Sequence, residues 1–385
     1  MGEFASKLEE IMPAEELVFK PMPAFGKYRE VMPDEAVAHP AKFNVCLVEF
    51  LVKKYSREGD TILDPMAGTG ILGVIAALHG RNAVQVEIEP RFYEWMEKAR
   101  ENVERLPTLT YKGWIRNILG DARSLAQLLE PADVIITSPP YTNQAAENLN
   151  VSRYRKGGAF AEEKLADLAM ASPPDSDTYP GSGESGKYRE WPVRVDVVIT
   201  SPPYADSKKG GEADGGKMAE RWDRAFREVG ERWNSWGKTW KTEGRVRALK
   251  ALGSGYSTDS GNIGNLESGE DEYEALTKGS ALPRKKKETY LEAMLRVYGQ
   301  MYQVLKPGGR AIIVVKPFIR RKKVIDLPYY TLLLLQRCGF TLEKLYKMRV
   351  MNKSFWRIIY SRKHPEVQEI AHEYVIIVRK PDSSA

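Results

Sequence analysis

The sequence predicts an α/β protein built on a Rossmann-like, mostly parallel sheet of seven strands. Three observations predict this class. A glycine-rich loop directly follows a short apolar strand in residues 60–70, DTILDPMAGTG. Apolar strand patterns then alternate with helical patterns of three-and-four spacing. The nonapeptide D-V-x-I-T-S-P-P-Y ends an apolar strand at residues 133–141, and it recurs at 196–204.

The first strand-helix-strand unit contains the glycine loop. Gly68 and Gly70 allow the backbone to turn closely around a ligand, and a helix is predicted over about 70–79. The next strand pattern, NAVQVEIE, places Glu87 17 residues beyond Gly70. This is close to the spacing at which a carboxylate after a second strand holds ribose hydroxyls in nucleotide-binding folds. Pro90 then begins a second amphipathic helix.

The later segments supply the other elements. WIRNILGDARSL contains a third strand with Asp121 at its end, and the first TSPPY strand follows 12 residues later as the fourth. TYLEAMLRVYGQMYQVLKPGG predicts a helix that leads into an apolar fifth strand, RAIIVVK. PYYTLLLLQRCG predicts another helix, and strands at 341–350 and 373–379 complete the count of seven.

These patterns divide the chain into three parts. Residues 1–35 are predicted to be an N-terminal extension, and residues 36–141 together with 289–380 a Rossmann-like catalytic domain. Residues 142–288 form a large α-rich insertion after the fourth strand, which we interpret as a substrate-recognition subdomain. Within it, tryptophans between 222 and 240 share one helical face. Core packing explains such a stripe more often than base stacking does.

The tetrapeptide Ser-Pro-Pro-Tyr suits methylation of an exocyclic amino group on a flat ring. The Pro139–Pro140 pair holds the backbone extended. The Ser138 hydroxyl and the Pro139 carbonyl can then accept hydrogen bonds from one amino group, while Tyr141 offers a ring for stacking. We therefore predict that Ser138, Pro139, Pro140 and Tyr141 form the catalytic motif.

The glycine loop and this tetrapeptide together resemble the S-adenosylmethionine-dependent amino methyltransferases of nucleic acids. That family is marked by D-P-x-x-G-x-G and [S/N/D]-P-P-[Y/F], and the serine form after threonine resembles its cytosine-N4 members. The archaeal members of this type are the nearest resemblance, and some of them act on ribosomal RNA. The resemblance covers about 36–141 and 289–380, and it implies a class I methyltransferase fold.

The resemblance also implies S-adenosylmethionine as the cofactor. Gly68, Thr69 and Gly70 would border its methionine part, Asp121 would lie near the adenine, and Phe43 would pack over the methionine end. An ordinary helix covering the sheet edge is the alternative for the segment that contains Phe43. The complete set of predicted cofactor residues is Asp64, Pro65, Ala67, Gly68, Thr69, Gly70, Glu87, Ile88, Asp121, Ala122 and Phe43.

The duplicated motif leaves two candidates for the chemistry, because only one copy can follow the fourth strand of a single sheet. The spacing after the third strand favours the first copy. The alternative is that the second copy, Ser201, Pro202, Pro203 and Tyr204, is the catalytic one and that residues 142–195 are the inserted piece. A third interpretation gives the second copy a docking role.

Composition limits the functional classes. Among 385 residues, 42% are hydrophobic and no apolar run approaches 18, so we expect no membrane span. Cys46 and Cys338 stand apart in apolar stretches, which is typical of reduced core residues in a cytoplasmic protein. The four histidines form no metal-type cluster, so we expect no metal. The 29% of charged residues is compatible with a heat-adapted source.

The charge of the chain suits a polyanionic partner. The formal net charge is +6 and the pI is about 9.0. Two basic runs are predicted to hold nucleic-acid phosphates at the mouth of the site, with solvated surface charge as the alternative. They comprise Arg284, Lys285, Lys286 and Lys287, and Arg320, Arg321 and Lys322.

We therefore predict methyl transfer from S-adenosylmethionine to the N4 amino group of cytosine in nucleic acid. The sequence shows neither a zinc ribbon nor a helix-turn-helix, which favours structured ribosomal RNA. A site-specific DNA cytosine-N4 methyltransferase is the alternative. A non-catalytic nucleic-acid-binding protein with a vestigial cofactor fold is the alternative of another class.

Overall fold

The computed structural model describes residues 2–19, 25–38, 43–107, 112–129, 135–136, 262–350 and 364–382. For residues 37, 38, 135, 136 and 265 it describes the backbone alone. Both Ser-Pro-Pro-Tyr copies lie outside the described residues, as does the tryptophan stripe between 222 and 240.

A single mixed sheet of eight strands forms the centre of the molecule, in the order β1-β9-β10-β6-β5-β2-β3-β4. A separate hairpin consists of β7 and β8. The strands are β1 (Glu15–Leu17), β2 (Thr61–Asp64), β3 (Asn82–Glu87), β4 (Ile115–Leu119), β5 (Ile135–Ile136), β6 (Arg310–Val315), β7 (Phe318–Arg320), β8 (Lys323–Ile325), β9 (Thr341–Arg349) and β10 (His372–Arg379).

The strand order confirms the Rossmann-like, mostly parallel sheet that the sequence predicts. Strands β2 to β6 are all parallel, whereas β10 runs antiparallel between β6 and β9. The chain adds β3 and β4 on one side of β2, and then β5 and β6 on its other side. The order of the sheet therefore reverses between β2 and β5, which is where such sheets bind their ligands.

In the described part of the chain this sheet has eight strands, one more than the seven predicted. The additional strand is β1, which pairs in parallel with β9 through Glu15, Glu16 and Leu17. Its three residues carry no alternating apolar pattern, because β1 lies at the edge of the sheet and is mostly exposed. Pairing with a strand more than 300 residues away creates this element.

Helices cover both faces of the sheet. Helices α2, α3 and α4 pack together on one face, and α5, α7 and α8 lie on the other. The helices are α1 (Leu8–Ile11), α2 (Val45–Tyr55), α3 (Ile71–Leu78), α4 (Pro90–Arg105), α5 (Leu125–Leu128), α6 (Glu270–Thr277), α7 (Tyr290–Val304) and α8 (Leu327–Arg337).

The sequence patterns explain why these segments form these elements. All four residues of β2 are buried, as expected for a parallel strand covered on both faces. In α4 the predicted apolar side is buried, including Phe92, Trp95 and Met96. Helix α2 begins at Val45, because the Asn44 side chain caps it by accepting hydrogen bonds from the Cys46 and Leu47 amides at 3.0 and 3.2 Å.

The N-terminal segment is packed into the core. Leu8, Phe25 and Tyr28 are all buried. The Tyr28 hydroxyl donates a hydrogen bond to Glu49 on α2 at 3.0 Å and lies 3.0 Å from Nε2 of His79, next to the end of α3. These contacts attach the predicted extension to the catalytic domain.

The end of the predicted insertion also packs against the core. Helix α6 contacts α8, and its Tyr273 and Leu276 are buried. The Tyr273 ring lies 4.6 Å from that of Tyr330, centre to centre. Residues 262–277 are thus close to the catalytic domain in space.

No helix in the described ranges is long and apolar enough to cross a membrane.

Asp326 joins the N-terminal segment to α8. Its Oδ1 accepts hydrogen bonds from the Ser6 hydroxyl at 2.7 Å and from the Tyr329 amide, and its Oδ2 accepts one from the Lys7 amide at 2.8 Å. We expect Asp326→Ala to lower the free energy of unfolding by about 2 kcal/mol, because a helix cap and two long-range hydrogen bonds are lost. Urea denaturation measures the change.

A matched control for Asp326→Ala is Asp382→Ala, which removes an exposed ion pair with Arg379. The control should change the free energy of unfolding by less than about 0.5 kcal/mol. Equal stability of the two variants would contradict the role assigned to Asp326.

Candidate nucleotide-cofactor site

The loop after β2 is folded by its own backbone and by β3. The buried Asp64 ends β2, and its Oδ1 accepts a hydrogen bond from the Met66 amide at 3.1 Å. The Ala67 amide donates to the Val86 carbonyl of β3 at 3.0 Å, and the Gly70 amide donates to the Ala67 carbonyl at 3.0 Å. The loop therefore turns over the carboxyl ends of β2 and β3.

Two glycines in this loop have positive φ, which explains why the pattern needs glycine. Gly68 has φ of 55°, and a Cβ added there would meet no atom within 4 Å. Gly70 has φ of 73°, and a Cβ there would lie 2.7 Å from Cγ of Met96. Gly70 thus allows close packing of α3 on α4, whereas Gly68 leaves open space above the loop.

Glu87 is the central polar side chain of the site. It ends β3 and is only 7% exposed. Its Oε2 accepts a hydrogen bond from the Gly68 amide at 2.8 Å, and its Oε1 accepts one from the Glu89 amide at 2.9 Å. Burial raises the pKa of the Glu87 carboxyl to about 7, although these two amides act in the opposite direction.

The buried Gln85 and the partly buried Asn117 form a chain of amide side chains below the loop. The Gly73 amide donates to Oε1 of Gln85 at 3.0 Å, and Nε2 of Gln85 donates to Oδ1 of Asn117 at 2.8 Å. Nδ2 of Asn117 in turn donates to Glu97 on α4 at 2.7 Å. These contacts fix α3, β3, β4 and α4 to one another beneath the glycine loop.

Most of the predicted cofactor residues lie together at this edge. Asp64, Pro65, Ala67 and Thr69 are buried in the loop, and Ile88 follows Glu87 directly. Ala122 is buried just after β4. Phe43 is buried next to α2. Its contact with a cofactor stays a prediction.

Asp121 has a partner that sequence reasoning did not anticipate. Its carboxylate forms an ion pair with Arg123, with Oδ2 2.6 Å from Nη2, and it accepts the Arg123 amide hydrogen bond at 2.8 Å. Arg123 also forms an ion pair with Glu288, just before α7. Asp121 is thus a helix cap and an ion-pair partner, and its predicted contact with adenine stays a prediction.

Strand β5, the predicted fourth strand, precedes the first Ser-Pro-Pro-Tyr copy in the sequence. Ile135 pairs with Leu63 of β2 and with Ala311 of β6, and Ile136 pairs with Ile312. Strand β5, which precedes the first copy, therefore lies next to β2, on the opposite side of β2 from β3.

The two basic runs differ in their surroundings. Arg284, Lys286 and Lys287 are exposed between α6 and α7, and Lys285 in the same run forms an ion pair with Asp271. These positions agree with a surface that is open to a polyanion.

Arg320 differs from the other candidates, since its guanidinium bonds the Ser268 carbonyl and the Glu267 carboxylate. These contacts fix the Arg320 side chain, and its predicted phosphate role stays a prediction. Arg321 and Lys322 form the exposed turn between β7 and β8 with φ of 46° and 62°, and Lys322 lies 3.4 Å from Glu366.

Sequence reasoning missed Glu89 and Asn262 at this site. Nδ2 of Asn262 donates a hydrogen bond to Oε1 of Glu89 at 2.7 Å, and both side chains are buried. The available signal was the N-I-G-N pattern at 262–265 near the end of the predicted insertion, where asparagine and glycine indicate a turn.

The residues at this edge fit a nucleoside cofactor. Gly68 leaves room for a ligand above the loop, and a cofactor ribose carries two hydroxyl donors that match the two oxygens of Glu87. Among the described residues, no group of three His, Cys, Asp or Glu side chains could hold a metal ion.

Comparison with known proteins identifies related chains. A family model described as DNA methylase, of the N6 and N4 type, matches residues 23–98. The tRNA (guanine(10)-N2)-dimethyltransferase of Methanothermobacter thermautotrophicus is 34% identical over 122 residues, which are 30% of this chain and 34% of that protein. The Type II methyltransferase M.BglI of Bacillus subtilis is 38% identical over 66 residues, or 17% of this chain and 18% of that one.

A third relative is described as a ribosomal RNA large subunit methyltransferase of Methanocaldococcus jannaschii. It is 25% identical over 171 residues, which are 42% of this chain and 44% of that protein. In all three cases the match spans less than half of the relative's length. The segment that matches the DNA methylase family model contains the glycine loop and Glu87. S-adenosylmethionine is the cofactor that this match and the methyltransferase relatives support, and its contact with Glu87 stays a prediction.

The raised pKa of Glu87 predicts pH-dependent cofactor binding. Ribose hydroxyls donate hydrogen bonds to the ionised carboxylate, so below its pKa of about 7 a proton has to leave before the ligand binds. We expect S-adenosylhomocysteine to bind about tenfold more weakly at about pH 6 than at about pH 8. Calorimetry in two buffers of different ionisation enthalpy measures both the Kd and the proton release.

The control for this pH dependence is Glu87→Gln, which keeps the size of the side chain and removes its titration. It should bind more weakly and with little pH dependence between the same limits. A pH dependence in Glu87→Gln as steep as that of the wild type would assign the effect to another group.

Proposed function

We propose that this protein transfers a methyl group from S-adenosylmethionine to the N4 amino group of cytosine in nucleic acid, with structured ribosomal RNA as the favoured substrate. The observation that carries this proposal is the Glu87 and glycine-loop site at the point where the sheet order reverses. The strand of the first Ser-Pro-Pro-Tyr copy pairs directly with β2 at the same point.

The position of β5 supports the first copy as the catalytic one. Ser138 follows Ile136 by two residues, and two residues of chain span at most about 7 Å. Parallel strands direct their carboxyl ends to one edge of a sheet, so β5 leads toward the same edge as the glycine loop after β2. The second copy of the nonapeptide occurs 63 residues later in the sequence.

The proposed chemistry depends mainly on orientation. The cofactor supplies a methyl group activated by its positive sulfur. The Ser138 hydroxyl and the Pro139 carbonyl accept hydrogen bonds from the cytosine amino group, which turns the nitrogen lone pair away from the ring. Tyr141 stacks on the cytosine and holds it in line with the methyl donor. The amino group loses a proton to solvent only after it has been methylated, so no strong base is needed.

The proposed contacts with the cofactor come from the glycine loop and from residues at the same edge of the sheet. Glu87 accepts hydrogen bonds from the ribose hydroxyls, and Gly68 leaves space for the ligand above the loop. Asp121 and Phe43 are proposed at the adenine and methionine ends. The closed packing of Gly70 against Met96 keeps the loop from shifting when the ligand binds.

Different relatives favour RNA and DNA as the substrate of this protein. RNA is favoured because two relatives are named for the modification of tRNA and of ribosomal RNA. DNA methylation at cytosine N4 is the second candidate, favoured by the family model described as DNA methylase and by the Type II relative.

A non-catalytic binding protein would fail to bind S-adenosylhomocysteine in calorimetry.

The proposed function is tested by methyl transfer from labelled cofactor to total RNA and to DNA in separate reactions. Nucleoside analysis then identifies the base and the number of methyl groups. We expect N4-methylated cytidine in RNA. Label in N2-methylguanosine would contradict the proposed base, and label in DNA alone would contradict the proposed polymer.

The catalytic role of the first copy predicts specific losses. We expect Ser138→Ala and Tyr141→Ala each to lower turnover by at least about tenfold while cofactor affinity stays nearly unchanged, because each removes orientation of the base. The matched control is Ser201→Ala in the second copy, which should keep most of the activity. Full activity in Ser138→Ala together with loss in Ser201→Ala would reverse the assignment.

The exposed basic run between α6 and α7 predicts a salt-dependent effect. We expect the triple variant Arg284→Ala, Lys286→Ala and Lys287→Ala to weaken RNA binding and to lower the slope of log K against log salt by about 2. Its control removes three exposed charges at the amino edge of the sheet, in Lys53, Lys54 and Arg57. An equal loss in both triple variants would indicate a general charge effect.

A further inference from the structure

Residues 262–268, named here the carboxyl-edge strap, connect two distant parts of the site. At its start the strap contacts Glu89, at the beginning of α4. At its end it contacts Arg320, at the end of β7. The strap therefore extends along the edge of the sheet that carries the glycine loop. It belongs to the region that the sequence assigned to an insertion.

The contact at the start of the strap leads directly to Glu87. The Glu89 amide donates to Oε1 of Glu87 at 2.9 Å, while the Glu89 carboxylate accepts from Nδ2 of Asn262 at 2.7 Å. Oδ1 of Asn262 accepts the Gly264 amide at 2.9 Å. One orientation of the Asn262 amide satisfies both contacts, so its role as donor to Glu89 is defined.

The other end of the strap is held just as closely. The Ser268 hydroxyl accepts a hydrogen bond from the Leu291 amide at 2.9 Å, at the start of α7. The Ser268 carbonyl and the Glu267 carboxylate bond the Arg320 guanidinium. Ser268 is 1% exposed. With this end fixed to α7 and the hairpin, Asn262 is presented to Glu89 from a supported backbone.

We propose that Asn262 is a positioning residue for cofactor binding, which holds Glu89 and thereby the orientation in which Glu87 meets the cofactor ribose. This inference rests on the proposed function, since it assigns the ribose to Glu87. Asn262 acts through Glu89 and does not itself touch the ribose in this assignment.

The physical reason is the burial of two neighbouring carboxylates. Glu87 and Glu89 are each 7% exposed and lie two residues apart. A buried carboxylate needs hydrogen-bond donors, and Asn262 supplies one without adding charge. Without that donor, the Glu89 carboxylate moves toward other hydrogen-bond donors. This movement shifts the Glu89 amide that holds Oε1 of Glu87.

The test measures the Kd of S-adenosylhomocysteine by calorimetry for the full chain and its variants. We expect Asn262→Ala to weaken binding about tenfold, the size expected for a lost hydrogen bond to a charged group. Asn262→Asp should weaken it further, because two carboxylates then face each other. The double variant Glu89→Gln with Asn262→Asp reverses donor and acceptor and should restore the Kd to within about threefold.

The matched control is Asn102→Ala. Nδ2 of Asn102 donates to the Val31 carbonyl at 3.1 Å, so this variant removes a hydrogen bond near the other end of α4. A merely structural role for Asn262 would lower the Tm of both variants and leave both affinities alike. We expect Asn102→Ala to bind S-adenosylhomocysteine as the wild type does.

The outcomes separate this inference from the proposed function. Absence of S-adenosylhomocysteine binding in the wild type would overturn both. Wild-type affinity in Asn262→Ala and Asn262→Asp would overturn the inference alone, as would failure of the double variant to recover affinity. Weakening by the single changes together with recovery in the double variant supports it.

Discussion

The rest of the site depends on the contact between the Glu87 carboxylate and the Gly68 amide, 2.8 Å apart. It joins the loop after β2 to the end of β3, and it places the buried Glu87 carboxyl below the open space at Gly68. Burial raises the pKa of this carboxyl above its ordinary value. The hydrogen bonds of Gln85 and Asn117 connect β3, β4, α3 and α4 to one another below this contact.

The carboxyl edge of the sheet is built from segments that are far apart in the chain. The glycine loop, the ends of β3 and β5 and the carboxyl-edge strap all meet there. These segments come from both halves of the chain, so residues far apart in sequence form one framework at this edge. Arg320 illustrates this arrangement, since it fixes the strap to the hairpin after β6.

The local patterns were sufficient for much of the fold. Helices α3, α4, α7 and α8 and strands β2, β3, β6, β9 and β10 appear close to their predicted positions. Periodicity reveals them because each buries one face or both faces against the core. The position of Glu87 at the end of β3 was predicted from its spacing after the glycine loop, because the helix between two parallel strands has a nearly constant length. Asn44 sets the start of α2, because its side chain caps the first turn of that helix.

The sequence by itself determined the periodic elements, the positive-φ glycines of the loop and the carboxylate at the end of β3. Only the tertiary structure decided the partners: β1 became a strand by pairing with β9, Arg320 bonded Glu267, Asp121 bonded Arg123, and Asn262 reached Glu89. The physical reason is that helices and turns form through neighbours in sequence, whereas ion pairs and edge-strand contacts form between residues that only the folded chain brings together.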